Sequence, residues 1–560
     1  MKKSGPGTPT DPSKAGLSRR SFLIQGACLA AAAAGMGISC KDSRPAGNKR
    51  VAGSIIGSNR KAGHMLLQGE GITPTETEET GIVIVGSGIA GLSAARDLAK
   101  KGIRDFLMLE LEDRTGGNSA YAVHKVSPYP LGAHYVPLPG VEAVFVRELF
   151  EELGIIEGYN SKGLPLYNEY YLCADPQERL FIHDRWQEGL VPQFGATPED
   201  KRQYQVFFGM MDDLRKARGT DGRRAFVIPM ELSSRDRRFL KYDEISMAQF
   251  LTDNGLDSKY LRWYVNYCCR DDYGCVMEDV SAWAGIHYFA GRSGSAGNAE
   301  PHAVVTWPEG NGWIVRKMAE NMSEHIRCNA CVLNIQNIGD KTAVDYLDPR
   351  SGVAKRILAR AVIYAAPRFT ALRSIKDLRE SPPAYAGSFG YAPWMVANVV
   401  VNAVPEGNGA PLSWDNVFYG NDSLGYVVAN HQDVALHQSK TVLTYYYPLT
   451  AGDPAAERQR AVTMTFDAWA DMIIRDLSRF HPGIEKGIEE VNVWLWGHAM
   501  VRPVPKFIWG RARQEALRPL GRIFFAHSDM SGISLFEEAQ YHGILAAREA
   551  RAVLEKARPA

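Results

Sequence analysis

Residues 81–85, Gly-Ile-Val-Ile-Val, form a continuous apolar, β-branched run with no polar alternation. That pattern predicts a strand buried on both faces of a parallel sheet. Leu92, Ala95, Leu98 and Ala99 then recur at helical spacing, and Lys101-Gly102 ends the helix. Phe106-Leu107-Met108-Leu109-Glu110 is a second apolar strand that finishes on a carboxylate. Later runs repeat the theme: Cys331–Ile335 after Gly310-Asn311-Gly312 and a helix, Ala361–Ala366, and Arg522–Ala526 before a helix through Ala546-Ala547 to Leu554. These runs fall in three separated stretches, 81–139, 306–375 and 501–560, with 140–305 and 376–500 between them. Near the end of the latter, Trp494, Trp496 and His498 alternate, which places them on one face of a strand.

The pattern at the N-terminus is of another kind. Ser18-Arg19-Arg20-Ser21-Phe22-Leu23 leads into an alanine-rich apolar run ending at Ile38, short for a membrane span and basic on its leading flank. It resembles a twin-arginine export signal over residues 1–40, with Ile24 where a lysine is usual. Gly37-Ile38-Ser39-Cys40 resembles a lipoprotein cleavage box, which implies a lipid tether on Cys40. Residues 41–80, polar and rich in Gly, Ser and Thr, read as a linker. The expectation is an exported protein, periplasmic or tethered facing the periplasm, that meets the export machinery already folded. Folding first favours a tightly held prosthetic group over a diffusible nicotinamide.

Composition narrows the class. The 560 residues exceed what one core serves, and 45% hydrophobic with 23% charged residues is ordinary for a globular enzyme. With 64 basic against 63 acidic side chains, no global field attracts nucleic acid. Eight cysteines are too few for a disulfide scaffold at this length. Cys328 and Cys331 have C-x-x-C spacing but no partner motif, so they read as packed cysteines and no metal site is expected. The absence of C-x-x-C-H argues against a c-type haem.

Candidate chemistry starts at Gly86-Ser87-Gly88-Ile89-Ala90-Gly91, a G-x-G-x-x-G between strand and helix. Gly86 permits the tight turn, Gly88 lets backbone approach a pyrophosphate, and Gly91 lets helix and strand pack closely. The helix start at Ala90 offers N–H groups and a positive dipole end. Glu110, about 20 residues on, is where an acidic side chain receives ribose hydroxyls. Glu110 through Gly117 then read E-x-x-x-R-x-G-G, with Arg114, Gly116, Gly117 and, next, Asn118. This wording resembles the flavin-dependent amine oxidases, phytoene-type desaturases and protoporphyrinogen oxidases. Asn118 stands where those proteins often carry Arg or Lys.

The resemblance implies FAD, held by a Rossmann-like α/β domain assembled from 81–139, 306–375 and 501–560 and interleaved with an α+β substrate domain from 140–305 and 376–500. It implies that Gly132 and Ala133 run close to the isoalloxazine ring, that the Val332 backbone meets the adenine, that Asp529 bonds the ribityl chain, and that the last helix points its N-terminus at the flavin. A small-molecule substrate and a separate electron acceptor follow. Hydride transfer from a substrate C–H to flavin N5 is the implied reaction, with the protein positioning and desolvating the substrate. His498, Trp496 and His134 are the catalytic candidates. Trp394, Trp414, Tyr445, Tyr446, Tyr447 and Trp494 are candidates for an aromatic amine site. The stretch Tyr391–Asn398 lacks the lysine that such amine oxidases place near the flavin and that is associated with oxygen use, which points to another acceptor. An amine or polyamine is the favoured substrate. Two rivals are a desaturase, isomerase or porphyrinogen-oxidase type of enzyme on an apolar substrate, with a wide greasy tunnel, and an FAD-holding electron-transfer protein without turnover. The E-x-x-x-R-x-G-G extension disfavours an NAD-linked dehydrogenase.

Overall fold

Strand Glu76–Val85 lies inside a seven-stranded sheet ordered Ile326–Arg327, Phe106–Leu109, Glu76–Val85, Ala354–Tyr364, Lys341–Leu347, Cys331–Ile338, with Ile523–Phe525 also paired to Ala354–Tyr364. The structure, a computed structural model, describes residues 51–67, 73–433 and 440–556. The stretch read as an export signal, Cys40 included, lies outside the described residues. Ile82, Val83 and Ile84 have no exposed surface. Each contributes about 1.5–3 kcal/mol by leaving water. Neighbours of Glu76–Val85 on both sides run parallel to it, and only Lys341–Leu347 and Cys331–Ile338 pair antiparallel. Helix Ile89–Lys100 covers one face, and the C-terminal helix Phe536–Lys556 crosses it closely. The crossing needs Gly543, where a β-carbon would meet the Ala90 carbonyl oxygen at 2.2 Å.

The second domain is built on an eight-stranded sheet ordered Ala52–Gly57, Ile488–Val501, Tyr391–Val401, Thr441–Pro448, Gly425–Val428, Asp415–Phe418, Glu178–Ile182, Arg185–Glu188. Tyr391–Val401 is buried along its whole length, so its two faces enter two cores. Met395, Ala397 and Val399 pack under helix Phe466–Phe480, whose Trp469, Ile473 and Leu477 repeat every fourth residue. Trp394 and Val396 face the other way, toward a helical layer that includes Pro198–Lys216, Lys259–Tyr273 and Ala282–Gly291. Among the described residues no helix is long and apolar enough to cross a membrane.

The expected linker over 41–80 needs correction in its described part. Ala52–Gly57 is a strand, parallel to Ile488–Val501, and Arg60–His64 with Met65–Leu67 form helical turns. Glu76–Thr80 continues the buried strand outward, in register with Lys355–Ala359. The β-branched Thr77 and Thr80 suit a strand, and the three glutamates meet cations on neighbouring strands. Glu76 pairs with Lys355 and Glu79 with Lys341, both at 2.7 Å, and Glu78 pairs with Arg327. The Cys328–Cys331 pair is unbridged, with Cys331 buried at the start of its strand.

Candidate active site

Backbone geometry at the first strand–helix turn builds the floor of a cavity of about 320 Å³. Gly86 has φ +98°, out of reach for most side chains. At Gly91 a β-carbon would sit 2.0 Å from the Gly86 carbonyl oxygen, so only glycine lets the helix rest on the turn. Gly88 differs. Its φ is −72°, and a β-carbon would be 3.8 Å from the nearest protein atom, on the cavity side. Helix Ile89–Lys100 starts there without a side-chain cap, so its first N–H groups and its positive dipole end face the cavity.

Glu110 closes one side. Its Oε2 accepts from the Ser87 N–H and hydroxyl, both at 2.8 Å, and Oε1 accepts from the Glu112 N–H at 2.9 Å. Burial raises its pKa, and these hydrogen bonds pull the other way. Val332, Tyr364 and Ala365 come from the far strands, and Ser534, Leu535 and Phe536 bring the start of the last helix to the same cavity.

Beyond the dinucleotide cavity the cleft continues into a constriction of about 150 Å³. The two share Asn118, Ala133, Asn311, Trp496 and the 534–536 turn as wall. The segment Leu131–Tyr135 is clamped here. The Ala133 N–H donates to the Asn118 carbonyl at 2.8 Å, the Trp496 indole N–H to the Leu131 carbonyl at 2.7 Å, and the Tyr446 hydroxyl to the Gly132 carbonyl at 2.9 Å. His134 stacks on Tyr446 with ring centroids 4.5 Å apart, and Tyr135 and Trp414 complete the aromatic group. Burial pulls the His134 pKa down to about 4, so its imidazole is neutral at pH 7. Two polar atoms on these walls, Asn311 Oδ1 and Trp394 Nε1, are buried without a hydrogen-bond partner among the described residues.

The constriction opens into a chamber of about 950 Å³, and past Glu178 and His302 into an outer cavity that also presents Asp175, Glu188 and Glu300. Around the inner chamber five carboxylates, Glu178, Asp271, Asp272, Asp415 and Glu537, gather about one guanidinium, Arg292. Arg292 donates to Asp272 and lies over the Tyr288 ring at 4.1 Å. Burial, reinforced by neighbouring carboxylates, lifts the Asp271 pKa to about 7 and that of Asp415 well above the usual range. Burial likewise holds Glu537 up at about 7 and raises Glu178. The same chamber wall also carries Arg215 and Arg224, paired with Asp212 and Glu142, and Lys216 and Arg218.

Most sequence-derived candidates converge. Gly86, Gly88, Ala90, Glu110, Gly117, Asn118, Ala133 and Val332 line the dinucleotide cavity, with Gly91 behind it and Gly132 in the constriction. Two do not face it. Arg114 turns outward, ion-paired to Asp113 at 2.9 Å and lying 5.9 Å from the Trp494 ring centroid. Asp529, expected on the ribityl chain, spends its Oδ2 on the Arg368 N–H at 2.7 Å and the Tyr391 hydroxyl at 2.6 Å. Burial alone would raise its pKa, but His527 and these donors outweigh that and lower it. His527 and Ser528 take the cavity wall in its place. Of the catalytic candidates, His134 lines the constriction and the chamber, and Trp496 the constriction and the dinucleotide cavity. His498 stacks on Phe369 on the wall of the dinucleotide cavity, away from the chamber, and remains exposed to solvent. Trp494 packs in a core and Tyr445 hydrogen-bonds Asp476 at 2.6 Å, so neither serves the cleft.

Sequence reading missed Glu178, Asp271, Asp415 and Glu537. One signal was available. Asp271-Asp272 follows Cys268-Cys269 near the end of a largely apolar helix, where two adjacent acids cannot both face solvent.

The walls fit a flavin dinucleotide on three counts: the empty cradle above Gly88, the uncapped helix start, and the unpartnered Asn311 oxygen along the cleft. Comparisons with known proteins agree. The family model for flavin containing amine oxidoreductases matches residues 89–551. Lysine-specific histone demethylase 1 homolog 3 of Arabidopsis thaliana is 23% identical over 421 residues, 69% of this chain and 24% of that protein, so the chain spans about a quarter of this relative. Putrescine oxidase bound to putrescine superposes with TM-score 0.60 at 17% identity, covering 85% of this chain and 100% of that one. Cyclohexylamine oxidase from Brevibacterium oxydans IH-35A gives 0.58 at 16% identity, covering 85% and 99%. A CLA-producing fatty acid isomerase from P. acnes gives 0.56 at 16%, also covering 85% and 99%. From the cofactor-cradling helix to the C-terminal helix, then, this chain belongs to the flavin containing amine oxidoreductases, enzymes that work with FAD.

Proposed function

We propose that the enzyme oxidises a linear, cationic amine and passes the electrons to an acceptor other than oxygen. The observation that carries this reading is the carboxylate excess around Arg292, set directly behind an aromatic constriction that opens on the flavin cavity. When bound, the flavin supplies a two-electron acceptor for the substrate C–H bond. The residues of this chain do the rest. Glu178 and the outer acids Asp175, Glu188 and Glu300 draw a cation inward. Asp271, which lines both chamber and constriction, has a pKa near 7 and takes the proton that an ammonium must shed before it reacts. His134 and Tyr446 give the neutral nitrogen a flat wall, and Trp496 keeps that wall in place through Leu131. An apolar acyl chain, the rival substrate, would cover these acids while offering their polar atoms no partner.

Anaerobic titration of the purified protein tests the substrate. Linear monoamines or diamines are expected to bleach the visible flavin band, and long-chain unsaturated fatty acids to leave it unchanged. Bleaching by the fatty acids alone would sink the amine reading. Strand Tyr391–Val401 supports the acceptor part of the proposal, because Trp394 and Val396 wall the constriction and the strand carries no lysine. A quinone or phenazine dye is expected to restore the colour about tenfold faster than dissolved oxygen; faster recovery in oxygen would refute this part.

We also propose export by the twin-arginine route, supported by Arg19-Arg20 before Phe22-Leu23. A chain with Arg19→Lys and Arg20→Lys is expected to stay in the cytoplasm of an exporting host. Identical fractionation of variant and wild type would rule this out.

A further inference from the structure

We infer that residues 52–67 are part of the FAD site, a strap over the adenosine end that slows release of the cofactor. The inference rests on the cofactor assignment above. The segment precedes the residues that the family model matches, yet it is fastened into the cleft at successive points. Ala52–Gly57 pairs with Ile488–Val501, the strand that carries Trp496 and His498 to the cavity wall. Gly57 lies flat on the Trp494 indole, where a β-carbon would be 2.1 Å from the ring. The Ser58 hydroxyl donates to the Leu495 carbonyl at 3.2 Å. The chain then turns over the opening. The Asn59 N–H donates to Glu112 Oε1 at 3.0 Å, two residues past the carboxylate placed for the ribose. The Cys331 thiol donates to the Ala62 carbonyl at 3.4 Å, next to Val332 on the adenine side. Leu66 enters the cavity wall itself, and its turn packs against Cys331–Ile338 and helix Arg368–Ser374.

The strap thus bridges the two sides of the cleft that hold the two halves of the adenosine, Glu110–Glu112 and Cys331–Val332. A group enclosed beneath it leaves only when the strap lifts, so strap docking and cofactor binding favour each other by the same factor. Gly57→Val should unseat the strap at Trp494 without altering a cavity residue. We expect it to speed FAD release, read as the rise of free-flavin fluorescence, by about tenfold or more, the scale of one lost docking contact. Leu66→Ala keeps the strap fastened and removes only its wall contact, and should speed release about threefold. Wild-type protein gives a reading that needs no variant. Arg60 and Lys61 are exposed tryptic sites within the strap, and cleavage there should be about tenfold slower with FAD than in the apoprotein. Release unchanged in both variants, or cleavage equally fast with and without FAD, would overturn the strap. Wild-type protein unable to bind FAD at all would instead overturn the cofactor assignment on which it rests.

Discussion

Asp271→Asn is expected to lower kcat/KM for a cationic amine by about two to three orders of magnitude, the loss of roughly 3–4 kcal/mol that follows when a desolvated charge pair loses one member. Asp271 faces Asp272, Glu178 and Asp415 as like charges and Arg292 as the single cation, and its pKa is lifted to about 7. The charged form that receives the substrate therefore grows in between pH 6 and 8. A quaternary ammonium ligand does not titrate, so its affinity should rise about tenfold or more across that range in wild type and by clearly less in the variant, where Glu537, also near 7, still titrates. Stability should run the opposite way. A carboxyl whose folded pKa exceeds its unfolded value binds more protons when folded, so the substrate-free enzyme loses stability as pH rises from about 4 through 7 and loses no more from this group above that. The Asn variant escapes the loss and should be more stable at pH 8 by roughly 1–2 kcal/mol, after discounting for partial exposure. Calorimetry and steady-state kinetics on one preparation check both signs. A variant with wild-type kcat/KM would remove Asp271 from the site.

The second large effect separates two glycines that the motif treats alike. Gly88→Val should fold, with the apoprotein melting within about 2 °C of wild type, yet bind FAD at least about a hundredfold more weakly. Its backbone is extended and the nearest protein atom to a new β-carbon is 3.8 Å away, so a side chain is accommodated by the protein and competes with the pyrophosphate for the space beside the turn. Gly91→Ala should damage the fold instead. The new carbon would lie 2.0 Å from the Gly86 oxygen, and parting helix from strand costs about 1–3 kcal/mol of apoprotein stability. Apoprotein melting and FAD titration, measured on both variants, decide it. Undiminished FAD affinity in Gly88→Val would mean that the phosphates lie elsewhere.

Local backbone chemistry explains what could be read from the chain. Gly86, Gly88, Gly91 and Glu110 belong to a motif whose shape is dictated within one βαβ unit, and they are found around one cavity. Val332 and Trp496 were legible by resemblance and by strand alternation. The carboxylate cluster was not, because Glu178, Asp271, Asp415 and Glu537 come from four distant segments and acquire meaning only when the helical layer meets the sheet. Ala52–Gly57 escaped notice for a different reason. Ala-Gly-Ser-Ile-Ile-Gly is short and mostly exposed, and its partner strand lies more than 400 residues later. The glutamate-threonine stretch 76–80 looked like a linker since the cations that make it a strand, Lys355, Lys341 and Arg327, sit on other strands. Asp529 was placed by its position in the family pattern, and the contacts that hold its Oδ2, the Arg368 N–H and the Tyr391 hydroxyl, come from segments over 130 residues away.

The dinucleotide cavity draws its walls from Leu66 at one end of the chain to Ala539 near the other. During synthesis, the glycine turn emerges from the ribosome long before the helix that must close the cavity opposite it. Until that helix is released, a nascent chain has a phosphate cradle with no roof, and its parallel strands still lack Ile523–Phe525. Flavin capture is therefore an event of the completed polypeptide, and the waiting time before it is set by translation and by the closing of long-range strand pairs rather than by diffusion of the cofactor.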